Sequence, residues 1–221
     1  MNRTTFDQQL QANIVFRHAQ QFYGHAYESP IEERLAWHLS KFLAPNVILR
    51  PQVNVQSQIG SFRADMILHA GEVNTVLECD GKAFHQDSHR DLVRDAAMLD
   101  TNLVDQVIRF RGTDLYTAIY DLMYLVLVIH PQAFNDRGRV MLKRMASEEI
   151  RDLHRSQLFQ TNDLMVGHSE ALRAISVVIH APGALAMQTP AAQAVVRGLR
   201  DHRFQTLAQA VEQTRTGGSL P

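Results

Sequence analysis

Cysteine is almost absent from this chain. A single thiol, Cys79, in 221 residues excludes an internal disulfide and a cysteine-rich zinc module. An excess of one charge is missing as well. The 22 Lys and Arg are balanced by 23 Asp and Glu, for a net charge of -1, so any nucleic-acid binding has to come from a local basic face and not from a bulk positive field. Long hydrophobic runs are also lacking: the longest, Leu122 to Ile129, is far short of the ~20 residues that span a bilayer. The N-terminus, Met1 to Asp7, has no apolar signal-peptide core, and the expectation is a soluble, cytoplasmic protein. What the chain does have is apolar content of 45%, enough for one sizeable core with or without a helical extension.

Periodicity divides the chain into three parts. Residues 1–26 carry a modest amphipathic helix, with Phe6, Leu10 and Phe22 at helical spacing and Gly24 as its stop. Ser29-Pro30 then starts a second helix, a capping residue followed by proline at the first helical position. That helix, Ile31 to Phe42, turns Ile31, Leu35, His38, Leu39 and Phe42 inward and sets Glu32 beside the inward stripe. Alternation over Arg50 to Gln58, Phe62 to Leu68 and Val73 to Asp80 predicts a three-strand meander. In the second of these strands Phe62, Ala64, Met66 and Leu68 share one face, and Asp65 lies on the other. Asp87 to Asp100 reads as a helix, Asp105 to Phe110 as a fourth strand, and Leu115 to Ile129 as an apolar helix ended by Pro131. A meander with flanking helices argues for a mixed α/β domain over residues 27–130. Residues 131–221 read as an all-helical extension with a flexible tail, built from Arg137 to Phe159, Ser169 to Ile179 and Pro190 to Val211. The basic edge of the first of these (Arg137, Arg139, Lys143, Arg144, Arg151, Arg155) is a DNA-contacting arm, a dimer or protein-partner contact, or a solvated face.

The chemistry concentrates where the third strand ends. Strand side chains alternate, so Glu78 and Asp80 point one way and Cys79 the other. Asp65, an aspartate in mid-strand where that residue is disfavoured, lies one hairpin away, next to Glu78. Carboxylates gathered on a buried strand end are costly unless a cation sits between them, and a hard divalent ion with oxygen ligands is the simplest such cation. A solvated Glu-x-Asp edge is the plain alternative for the isolated pair.

The whole string is more specific than the pair. Ser29-Pro30-Ile31-Glu32 with Leu35 and Leu39, Gln52, Phe62-Arg63-Ala64-Asp65, Val76-Leu77-Glu78-Cys79-Asp80-Gly81, Phe84-His85, Arg94-Asp95 with Leu99, and Val107-Ile108-Arg109-Phe110 follow one another in order over residues 27–120. This order resembles the PD-(D/E)XK nuclease superfamily, in its very-short-patch-repair-endonuclease-like branch. The resemblance implies a restriction-endonuclease-like core of helix, three-strand meander, helix, strand and helix. It implies a Mg2+-dependent endodeoxyribonuclease, with Mn2+ as a substitute and DNA as partner and substrate. It makes Asp65 and Glu78 the metal-binding acids, with the Cys79 backbone carbonyl as a third ligand. Glu32 is then the helix acid that assists through a water or a second metal. Asp80 stands where the classical pattern carries lysine, and Lys82 and His85 are the candidates to replace that ammonium; a loop histidine suits proton transfer near neutrality. Gln52, Arg63 and Arg109 are implied substrate contacts, Arg109 as a phosphate or carboxylate clamp, and Arg94 is read as the partner of an acid on its own helix. Two rival readings remain. One is a catalytically silent nucleic-acid- or protein-binding module on the same fold; the other is a zinc hydrolase using His85, His89 and Asp87 or Cys79.

Overall fold

In the computed structural model the described residues are 2–6, 27–81, 87–152, 163–166, 173–181 and 189–215. The chain enters its first long element where the sequence marks it. Ser29 is extended, its hydroxyl accepts from the Glu32 N–H, and Pro30 opens helix α1, Pro30–Ser40. Strands β1 (Ile48–Ser57), β2 (Gly60–Ala70) and β3 (Val73–Asp80) follow as an antiparallel meander. Helix α2, Ser88–Asp100, is capped by the Asp87 carboxylate on the Arg90 N–H. It crosses over to β4, Gln106–Arg111, which lies parallel to β3 with Glu78 opposite Arg109 and Asp80 opposite Arg111. The expected helix over 115–129 is two: α3 (Gly112–Thr117) and α4 (Ile119–Ile129), broken at Ala118, whose φ of -140° and ψ of 31° are not helical.

The all-helical reading of the C-terminal part is corrected. Helices α5 (Asp136–Met145) and α6 (Glu148–Arg151) replace one long helix there, and residues 153–159 lie outside the described residues. Strands β5, Asp163–Val166, and β6, Arg173–His180, come next, where a helix was expected over 169–179. β6 pairs antiparallel with β4, from Val107 opposite His180 to Phe110 opposite Val177. The sheet order is β1-β2-β3-β4-β6-β5, so the segment after residue 131 builds the same sheet as residues 27–130. The physical reason is legible in the residues. Ile175, Val177 and Ile179 are buried while Ser176 and Val178 are only half-buried, a period of two in a run rich in β-branched side chains. A run this short is ambiguous between helix and strand until a free edge, here that of β4, accepts its hydrogen bonds. Helices α7 (Pro190–Arg200) and α8 (Leu207–Arg215) complete the described chain.

Apolar side chains fill both faces of the sheet. One layer joins Leu35 and Leu39 of α1 and Leu122 to Val126 of α4 to Leu77, Ile108, Val177 and Ile179. The other joins Val93 and Ala96 of α2 and Val195 and Leu199 of α7 to Val76, Val107 and Phe6. Phe6, 1% exposed, fixes the N-terminal turn in this core; residues 7–26, most of the expected N-terminal helix, lie outside the described residues. Each fully buried Leu or Phe removes enough apolar surface to contribute about 1.5–3 kcal/mol.

The alternation expected for β2 breaks at Asp65. Met66, Leu68 and Ala70 pack in the first layer, whereas Phe62 and Ala64, of the same parity, pack in the second. β1 changes sides at the same level, with Leu49 against the first layer and Val53 against the second. Between the pairs Pro51 with Met66 and Val53 with Ala64, Gln52 adopts a φ of +53°. A left-handed residue in mid-strand rotates the chain about its axis and, for a side chain larger than glycine, costs on the order of 1–3 kcal/mol. The strain sits beside the acid that the sequence singles out.

Candidate active site

Seven acidic residues line one cleft of about 760 Å³ between α1, β2, β3 and α2, among them the four that the sequence singles out: Glu32, Asp65, Glu78 and Asp80. The β2–β3 ladder brings two of them together. Its last pair is Met66 with Leu77, and Asp65 and Glu78 are the next residues on the two strands. There the Asp65 Oδ2 accepts from the Cys79 N–H at 2.8 Å, so the side chain takes the place of a ladder carbonyl. Cys79 itself faces the first apolar layer, and its buried thiol is held well above the usual thiol range, first by burial and then by the negative charge of Asp65.

Burial governs the charge state of the central pair. Asp65 is pushed up to about 6, first by burial, with the Cys79 N–H and Arg94 opposing and Glu32 and Asp80 adding to the rise. Glu78, 3% exposed, is pushed up to about 8 by burial, with Arg94 the main opposing charge and Asp65 adding to the rise. Two desolvated acids, one of which raises the proton affinity of the other, are a setting in which a cation binds well.

Around this pair, Glu32, Arg63, Asp80 and Arg109 each have a protein partner. Glu32 is buried and accepts from the Ser29 hydroxyl at 2.6 Å, the Gln52 amide at 2.7 Å and the Glu28 N–H at 3.1 Å. It therefore braces the start of α1 through Ser29 and Glu28 and ties that helix to the strained Gln52. Arg63 is exposed and pairs with Glu28 at the cleft mouth. Arg109, 5% exposed, donates through Nε and Nη2 to Asp95 at 2.8 and 3.1 Å and through Nη1 to Asp80 at 2.7 Å. Of its two expected roles, only the carboxylate clamp is seen. Burial would make Arg109 easier to deprotonate, but Asp95 and Asp80 hold its proton more firmly than usual. Asp95, fully buried, also meets His180 Nδ1 at 3.0 Å. Burial alone would raise Asp95, yet Arg109 and His180 hold it down at about 2.

Sequence reasoning missed this buried Asp95–Arg109–His180 cluster, because the three residues come from α2, β4 and β6 and only the tertiary structure brings them together. It also misassigned Arg94. That side chain does not pair on its own helix; its Nη2 reaches Glu78 Oε1 at 3.1 Å and the Arg63 carbonyl at 2.6 Å. Lys82 and His85 lie outside the described residues. For the zinc alternative, His89 is taken by the Thr214 hydroxyl at 2.8 Å and Asp87 by the cap of α2 and by Arg215.

Among the described residues no group of three or more His, Cys, Asp or Glu is gathered as a metal site. The donor chemistry nonetheless suits a hard cation, since Asp65 Oδ1 and Glu78 Oε2 accept no hydrogen bond among the described residues. Gly112 makes the cleft's floor possible. A Cβ there would lie 2.9 Å from the Asp80 carbonyl and 3.0 Å from Ile31 Cδ1, so α3 and the end of β3 meet only with glycine between them.

No protein-family model, curated protein or solved structure matches the chain.

Proposed function

We propose that the chain is a divalent-cation-dependent endonuclease that hydrolyses phosphodiester bonds in DNA, with the acid cleft as its active site. One observation carries this reading. Asp65 and Glu78 both line the cleft from adjacent strands, both with raised proton affinity, and each keeps an oxygen that no donor among the described residues satisfies. The resemblance of residues 27–120 to PD-(D/E)XK nucleases assigns its metal-binding acids to these same two residues.

Asp65 and Glu78 would hold Mg2+, or Mn2+ in its place, with the Cys79 carbonyl as a further oxygen. Such an ion, when bound, polarises the scissile phosphate and lowers the pKa of an attacking water. The protein's own groups do the rest. Glu32, already bonded to Ser29 and Gln52, positions the wall of the cleft on the α1 side. Asp80 and Arg109 fix the end of β3 against β4. Lys82 and His85 are proposed as the cation and the proton carrier in the position where the classical pattern has a lysine. Arg90, exposed at the rim, is a phosphate contact.

A catalytically silent binding module is the second reading. It is favoured by one fact: Glu32, Asp65, Glu78 and Asp80 already have protein donors. A cleavage assay separates the two. Plasmid, linear duplex, single-stranded DNA and RNA are incubated with Mg2+, Mn2+ or chelator. The nuclease reading expects metal-dependent nicking, and expects Asp65→Ala and Glu78→Ala each to lower it by more than the roughly 10–100-fold that losing a group behind a ligand costs. Binding without cleavage in every metal would establish the silent module instead.

A further inference from the structure

The cleft has a built-in cation. Arg94 projects from α2 with its side chain 23% exposed and contacts the buried Glu78. Among the described residues its other hydrogen bond is to the Arg63 carbonyl on β2. Three other acids of the cleft are held differently: Glu32 by Ser29 at the helix start, Asp65 by a backbone N–H, and Asp80 by Arg109, itself fixed by Asp95. Arg94 is thus more open to solvent than Arg109, with 23% of its side chain exposed against 6%, and Arg109 is also held by Asp95.

A divalent cation on Glu78 Oε2 would stand close to the Arg94 guanidinium on Oε1, and at such short range the two repel each other. Cation binding therefore loosens the hold of Arg94 on Glu78. The displaced guanidinium is free to turn into the cleft, and its planar fork matches the oxygens of a phosphodiester. We propose that Arg94 is a resident counter-ion. It neutralises Glu78 while the cleft holds no divalent cation, releases that carboxylate when one binds, and moves onto a backbone phosphate of nucleic acid in the cleft. Cation and phosphate then favour each other's binding, because each takes one end of the Glu78–Arg94 pair, and linkage makes the effect reciprocal. The same exchange accounts for acids that line one cleft without being gathered around one point. This inference rests on the nuclease reading of the cleft, and its test tells the two apart.

Mn2+ binding to the full chain is measured from the loss of the free-ion paramagnetic resonance signal. Removing the internal cation in Arg94→Met is expected to tighten Mn2+ binding within the roughly 5–150-fold range of coupled sites, and Arg94→Lys to stay near wild type. A residue that merely braced β2 against α2 would weaken binding on removal, or leave it unchanged, and either result overturns the proposal. In wild type a short phosphorothioate DNA duplex is expected to tighten Mn2+ binding. Failure to do so overturns the proposal even where Arg94→Met does not fold. If wild type and Arg94→Met both stay folded by circular dichroism and neither binds Mn2+, the metal reading of the cleft itself falls.

Discussion

At the scale of single residues, the site depends on a buried charge cluster beneath it. Asp95 has no exposure and accepts both Arg109 and His180. Removing one partner of such a pair leaves an uncompensated buried charge, so Asp95→Ala is expected to cost about 3–5 kcal/mol in urea unfolding. The pH dependence has a definite sign. The folded Asp95 titrates at about 2 against 3.8 ordinarily, so it contributes stability above the unfolded value and loses it as pH falls through the folded one. Wild type should lose stability as pH drops from about 4 to about 2, and Asp95→Asn should show a shallower drop between the same two points. The nearness of Asp65 to Glu78 was readable in the sequence from the single hairpin between their strands, although the alternation of β2 breaks at Asp65. The partners of Arg94 and Arg109 were not, since choosing among several nearby acids takes helix-to-strand geometry.

At the scale of elements, β6 is the segment with most influence outside the sequence-predicted core. It covers the edge of β4 and places Ile175, Val177 and Ile179 in the first apolar layer. Ile179→Ala is expected to destabilise by about 2–5 kcal/mol, checked by thermal or urea unfolding. Deleting everything after residue 131 should cost far more than a helical appendage would, giving a chain without cooperative unfolding, because β4 is left as an open apolar edge. At the start of α3, Gly112→Ala drives a methyl into the Asp80 carbonyl and Ile31. Its expected effect is loss of stability together with any activity of the cleft. The helix start at Ser29-Pro30 was legible because a cap and a proline act over three or four residues.

At the scale of the molecule, the near-zero net charge sets how nucleic acid would be held. Attraction has to come from a few cations at the cleft rim, such as Arg90, and not from a general field. DNA affinity measured against salt should therefore have a small slope, and Arg90→Ala should reduce that slope by roughly one. No helix among the described residues is long and apolar enough to cross a membrane.

Composition, caps and period-two or helical patterning determined by themselves the mixed α/β character, the meander and the gathering of acids near its end. These depend on neighbours a few residues apart and on which face of an element is apolar. The tertiary structure alone decided that the C-terminal part completes the sheet, that Gln52 and Asp65 mark a twist in the first hairpin, and which guanidinium faces which carboxylate. Those outcomes depend on free strand edges and on buried charges, whose partners are chosen by distance in space and not along the chain.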